Sequence, residues 1–124
     1  MAYSHFYNTN TNKYTTLYLF YIKKFNTYKL GVTSNFEKRI NKYIDGQPFV
    51  NYYVSKEEIE KNKISRNDIL VLFCKEVLNA MDEEKKLLRM IIGYKLNLPH
   101  IAFKEHFTGD AKANEILEYM NDLN

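Results

Sequence analysis

The chain has one cysteine, no tryptophan and no long apolar run among its 124 residues. The lone cysteine, Cys74, cannot form an internal disulfide, and no Cys/His zinc pattern accompanies it, which favours a reducing compartment and a cytoplasmic protein. The segment Met1 to His5 lacks the basic start and apolar run of a signal peptide. No segment reaches the ~18 apolar residues that cross a bilayer, so we expect no membrane partner.

Apolar residues are nevertheless plentiful. They make up 45% of the chain, and aromatic residues, all of them Tyr or Phe, make up 15%. This content supports one hydrophobic core without disulfides, and the length is short for two domains. Residues 1–15 are polar and rich in Asn and Thr, which predicts a flexible N-terminal arm ahead of a single domain over residues 16–124.

Charge is unevenly distributed along the chain, although the net value is only +3. Residues 1–47 carry seven basic and two acidic side chains, whereas residues 105–124 carry one basic and five acidic side chains. A polyanion would therefore approach the first half of the chain. The alternative is a coding bias towards lysine, since the chain has fifteen Lys and three Arg.

The first half predicts a hairpin followed by a helix. Two runs of β-forming residues, 17–22 and 28–33, are separated by a loop of hairpin length. Ser34 and Glu37 have the spacing of a capping box and predict a helix from about residue 35. Gly46 and Pro48 would end this helix.

The second half predicts further strands and helices. Residues 49–54 are a candidate strand, and residues 55–58 a candidate start of a short polar helix. The apolar run 69–77 predicts a strand covered on both faces, hence central in the sheet. Residues 80–95 predict a long helix and residues 110–123 a terminal one. The order indicates an α/β (α+β) fold, in which helices pack on a small, mostly antiparallel sheet of three to four strands.

Glu84 stands out because it occupies the middle of the apolar stripe of the second long helix, between Ala80 and Leu87. An unpaired buried carboxylate costs several kcal/mol, so a cation, either a side chain or a metal ion, should meet it. In the alternative interpretation the helix begins later and Glu84 lies in its exposed first turn, where acids are common.

Arg39 lies at the edge of the apolar face of the first helix, which Phe36, Ile40 and Tyr43 form. Its planar guanidinium suits a phosphate and stays charged under all conditions. The simpler interpretation is an arginine whose stem lies along the helix edge.

The order of these residues resembles the GIY-YIG nuclease superfamily. Its members share a tyrosine at the end of a first strand, a Tyr-Ile-Gly-like tripeptide on the next strand, an arginine in the following helix and a later helical glutamate. Here Thr16-Leu17-Tyr18 and Lys29-Leu30-Gly31 stand for the two tripeptides, and Arg39 follows Lys29 by ten residues. Lys29 replaces a phenol that many members use, as in a viral and phage-rich branch, and Glu105-His106-Phe107 is similar to the Glu-Trp-Phe of that branch.

The resemblance implies a metal-dependent endonuclease that hydrolyses DNA phosphodiester bonds. Tyr18 would orient or deprotonate the attacking water, and Lys29 would supply positive charge beside it or bind phosphate. Arg39 would stabilise the scissile phosphate, and Glu84 would hold one Mg²⁺ or Mn²⁺. No small-molecule cofactor is implied.

Other residues have weaker parallels in the family. Asn97 could match an asparagine that some members place in the site, while Glu105 and His106 have an alternative interpretation as a turn with Phe107 as a buried anchor. Four lysines flank the proposed site and would bind DNA without sequence preference, unless they are only a solvated face. They are Lys23, Lys24, Lys38 and Lys42.

Two alternatives to a nuclease stay open. A catalytically inactive relative would keep the fold as an accessory factor that binds DNA or a protein, and the replacement by Lys29 favours it. If the resemblance is accidental, the chain is a structural α/β protein, and Glu84 should then be paired with a lysine or exposed. Neither the target sequence nor the oligomeric state follows from the residues.

Overall fold

The computed structural model describes residues 15–44, 55–61, 63–94 and 106–123. The predicted arm up to residue 14, the candidate strand at 49–54, Asn97 and Glu105 lie outside the described residues. The regular elements are β1 (Thr16–Ile22), β2 (Thr27–Thr33), α1 (Phe36–Ile44), α2 (Lys56–Lys61), β3 (Ile69–Glu76), α3 (Ala80–Met90), β4 (His106–Phe107) and α4 (Asp110–Asn121). None of the helices in these ranges has the length and apolar character needed to cross a membrane.

The four strands form one antiparallel sheet in the order β3-β1-β2-β4. Strands β1 and β2 make the predicted hairpin, with Thr16 opposite Thr33 and Ile22 opposite Thr27. A short 3₁₀ turn, Lys23–Phe25, joins them. Asn26 follows it with a φ of 50°, a left-handed conformation that asparagine tolerates better than most residues. The α+β class, with helices packed on a small antiparallel sheet, is confirmed.

Among the described strands, β3 lies at an edge of this sheet, so the prediction of a central strand is wrong. It pairs with β1, and Leu70 and Val71 are 50% and 40% exposed. The register shifts between Leu19 and Phe20, which leaves Leu72 as an extra, bulged residue. A bulge bends an edge strand and discourages pairing with a further strand.

Side-chain alternation along β1 separates two cores, one on each face of the sheet. Leu17 and Leu19 belong to the larger core, beneath α3 and α4. Tyr18, Phe20 and Ile22 point to the other face and pack under α1, against its Ile40 and Tyr43. Helices α1 and α3 therefore cover opposite faces of the sheet.

The ends of two helices differ from the predictions. At the start of α1 the Asn35 side chain accepts a hydrogen bond from the Lys38 N–H at 3.1 Å. Glu37 instead forms two 3.1 Å bonds with Arg66, so the Ser34–Glu37 capping box does not form. Helix α3 ends at Met90 rather than near residue 95, and a 3₁₀ turn at Ile92–Tyr94 follows it.

Candidate functional site

Tyr18 and Lys29 meet on the α1 face of the hairpin, beside Gly31. Tyr18 lies opposite Gly31 across the two strands. A Cβ at position 31 would collide with the Tyr18 hydroxyl, would lie 2.6 Å from Tyr18 Cζ and would be 3.2 Å from Lys29 Nζ. The absence of a side chain at Gly31 therefore allows the phenol to lie across β2 and brings its hydroxyl near the Lys29 ammonium.

Both of these side chains are buried. Tyr18 is 1% exposed and Lys29 is 3% exposed. Lys29 Nζ donates a hydrogen bond of 2.8 Å to the Leu30 carbonyl and lies 5.7 Å from the centroid of the Tyr18 ring. The carbonyl dipole and the ring face offset part of the cost of burying an ammonium group.

His106 lies opposite Lys29 on β4 and is buried, so the interpretation of this residue as part of a turn is wrong. Its Nε2 is 3.4 Å from the Tyr43 hydroxyl of α1. Burial, and then the nearby Lys29 charge, hold the pKa of His106 well below its usual 6.5. The ring is therefore neutral at physiological pH. Phe107, the expected anchor, is buried in the larger core.

Arg39 lines a surface pocket of about 150 Å³ at the end of β2. Arg39 is partly buried, while Lys38 and Lys42 are exposed. The remaining wall consists of three polar residues that lead into α1, namely Thr33, Ser34 and Asn35. The pocket is thus basic, and neither Tyr18 nor Lys29 lines it.

Glu84 lies in the second turn of α3 and is partly buried. Ala80 and Leu87, one turn to either side, belong to the larger core, so Glu84 and Arg39 stand on helices that cover opposite faces of the sheet. Both helices nevertheless begin at the same end of the sheet, just beyond Thr33 and Glu76. Within the described residues β4 pairs with β2 only at Tyr28 and Lys29.

The four predicted DNA-binding lysines separate into two groups. Lys38 and Lys42 share the pocket with Arg39. Lys23 and Lys24 lie in the hairpin turn, at the opposite end of β2, about 20 Å away for a strand of this length. Lys24 Nζ donates to the backbone carbonyls of Lys61 and Lys63 at 2.8 and 2.6 Å, which connects the turn to the end of α2 and the segment after it.

Sequence reasoning missed the contact between Tyr43 and His106. Helical periodicity places Tyr43 only on the apolar face of the first helix, and its hydroxyl is the one signal in the sequence for a polar contact there. Its contact with His106 joins the helix of Arg39 to the strand beside Lys29. In the described ranges no group of three or more His, Cys, Asp or Glu side chains is arranged to hold a metal ion.

Comparison of the chain with protein-family models, with curated proteins and with solved structures finds no match. An antiparallel sheet with helices on both faces hosts many unrelated functions. The function must therefore be argued from the side chains around Gly31 and α1.

Proposed function

We propose that this chain is a metal-dependent endonuclease of the GIY-YIG type that hydrolyses DNA phosphodiester bonds. The observation that carries the proposal is the meeting of the Tyr18 hydroxyl and the Lys29 ammonium over Gly31. Arg39 stands on the helix that covers the same face of the sheet. Tyr18 and Lys29 come from adjacent strands, and Arg39 comes from the helix after them. This is the order that the resemblance requires.

Each side chain has a physical task in such a reaction. The Tyr18 phenol would orient the attacking water or accept its proton, and the Lys29 ammonium would supply positive charge beside it or bind phosphate. The Arg39 guanidinium binds a non-bridging phosphate oxygen and stabilises the charge that grows in the transition state. Glu84 offers a carboxylate oxygen of the kind that Mg²⁺ and Mn²⁺ prefer, and the ion, when bound, supplies Lewis-acid stabilisation of the phosphate.

A second candidate is a catalytically inactive relative that binds DNA. Two observations favour it: Tyr18 and Lys29 are almost fully buried, and the helices of Arg39 and Glu84 cover opposite faces of the sheet. The basic pocket on α1 would suffice for binding, because phosphate contacts by cations need no carboxylate.

Nicking of supercoiled plasmid DNA distinguishes the two candidates. We expect the wild-type chain to nick in the presence of Mg²⁺ or Mn²⁺ and not in EDTA, and Glu84→Gln and Arg39→Ala to be slower by about a hundredfold or more. Asp82→Asn and Arg89→Ala are the matched controls, because both alter exposed charges on α3, and they should nick at the wild-type rate.

Two results would contradict the nuclease proposal. Equal nicking by all five proteins would indicate a contaminating enzyme. Binding of DNA without nicking by the wild-type chain would support the inactive relative instead.

A further inference from the structure

Tyr18 and the surface pocket at the start of α1 lie next to each other on one face of β2. The Tyr18 hydroxyl lies over Gly31, and Thr33, two residues further along the strand, forms part of the pocket wall. Residues two apart on a strand point to the same face and are about 7 Å apart. The proposed reaction needs water and a phosphate at the Tyr18 hydroxyl, yet Tyr18 is only 1% exposed. A route to this hydroxyl must therefore open before the reaction.

The ring of Phe36 covers Tyr18 where α1 begins. Its centroid lies 5.3 Å from that of the Tyr18 ring and 6.4 Å from that of the Phe20 ring. The two strand residues are almost fully buried, whereas Phe36 is partly buried, so Phe36 is the outermost of the three rings. It directly follows Ser34 and Asn35, which line the pocket. The backbone of Phe36 thus adjoins the pocket, while its ring covers the phenol.

Hydrogen bonds fix the backbone before Phe36 but do not restrain its side chain. The Thr33 hydroxyl accepts from the Asn35 N–H at 3.1 Å and donates to the Asn35 carbonyl at 3.2 Å. The Asn35 side chain accepts from the Lys38 N–H at 3.1 Å. Phe36 is the first residue of α1, so no preceding helical turn restricts its χ1 angle, as one does further along a helix. Rotation of the Phe36 ring therefore uncovers the phenol without a change in the backbone.

We propose that Phe36 is a gating residue that controls the access of water and phosphate from the pocket to the Tyr18 hydroxyl. With the ring in place the phenol is covered. With the ring turned outward, the phenol and the pocket that Arg39 lines form one continuous site. The role of this opening in DNA cleavage rests on the proposed function. The opening itself does not, because it is measured on the chain alone, without DNA or a metal ion.

The test is acetylation of the tyrosine hydroxyls of the whole chain by N-acetylimidazole, a small acyl donor, with each site quantified by mass spectrometry of its peptide. We expect Tyr18 to react at least about tenfold faster in Phe36→Ala than in the wild type, because an open state populated to about a tenth or less becomes the main one. Tyr43 is buried in the same core and should react no faster in this variant. Its rate distinguishes local opening from general loosening of the core.

The matched control is Phe25→Ala. Phe25 is also a partly buried ring packed against this core, but it lies in the hairpin turn, at the opposite end of β2 from the pocket. This variant loses the same side-chain volume, and its Tyr18 should react at the wild-type rate. Phe36→Leu retains more of the packing and should give a smaller increase, so it provides the same comparison if Phe36→Ala does not fold.

Three results would overturn the gating role. They are an equal rise in the rates of Tyr18 and Tyr43, an equal rise for Tyr18 in Phe36→Ala and Phe25→Ala, and no rise for Tyr18 in a folded Phe36 variant. Dispersed amide spectra verify that each variant is folded.

Nicking of supercoiled plasmid with Mg²⁺ then separates the opening from the chemistry. If the wild-type chain nicks, Phe36→Ala should nick faster, by up to the factor found for Tyr18 acetylation. Slower nicking would overturn the role of Phe36 in cleavage. If the wild-type chain does not nick and Tyr18 still becomes reactive in Phe36→Ala, the nuclease proposal is contradicted and the control of access by Phe36 is supported.

Discussion

Gly31 connects the backbone of the hairpin to the side chains proposed for catalysis. Its Cα faces the Tyr18 hydroxyl, and the Lys29 ammonium lies beside the same spot. In an ordinary strand, alanine is preferred to glycine by about 0.5–1 kcal/mol. Here the space for a methyl group is already occupied by the phenol, so the usual preference should be reversed.

We therefore expect Gly31→Ala to lower the free energy of unfolding by about 1–3 kcal/mol, because the Tyr18 ring must move out of a packed core. Gly93→Ala is the matched control, since a Cβ there meets no atom within 4 Å. It should change stability by less than about 0.5 kcal/mol. Urea unfolding measures both, and equal stability of the two variants would mean that the phenol does not lie across residue 31.

At the scale of elements, β4 is a strand of two residues that holds its place through side chains. The Thr27 hydroxyl donates to the Phe107 carbonyl at 2.8 Å. The rings of Tyr28 and Phe107 stack with centroids 5.3 Å apart. His106 completes the strand on the α1 face, opposite Lys29. A charge placed on His106 would be buried beside an ammonium group, so β4 depends on the neutral ring.

This dependence predicts a loss of stability in mild acid. The pKa of His106 is lowered in the folded chain, chiefly by burial, so the unfolded chain binds the proton first as the pH falls through about 6.5. Stability should be constant above that pH. Below it, stability should fall by up to about 1.4 kcal/mol per pH unit, until the pH reaches the lowered pKa.

The measurement is the free energy of unfolding from about pH 7.5 to about pH 5, for the wild type and His106→Gln. The variant carries a neutral amide that does not titrate, so its curve should lack this slope, whatever its overall stability. Parallel curves for the two proteins, or an NMR titration of the His106 ring near 6.5, would contradict the assignment.

At the scale of the whole molecule, the sequence predicts the features that depend on local patterns. The β1–β2 hairpin and the start of α1 follow from strand propensity, a turn and helical periodicity over a few residues. The edge position of β3 does not follow, because strand order is set by contacts between distant segments. An apolar run such as Ile69 to Phe73 is similar in an edge strand and in a central one.

The geometry of the candidate site was likewise predictable only where it depends on local patterns. The register of the hairpin follows from its turn, so the proximity of Tyr18, Lys29 and Gly31 could be expected. The near-complete burial of Tyr18 and its contacts under α1 are tertiary features that spacing does not encode. Nor does spacing reveal which face of the sheet a later helix covers, and this determines how Glu84 stands relative to Arg39.

The proposed function requires that Arg39 and Glu84, from helices on opposite faces of the sheet, act on one phosphate. A double-mutant cycle on the single-turnover rate of DNA cleavage tests it most directly, with Arg39→Ala, Glu84→Gln and the double variant at saturating Mg²⁺. Residues that act as a unit are not additive. We predict that the double variant is no more than about tenfold slower than the slower single variant. Losses that multiply, so that the two residues act independently, would contradict a single site.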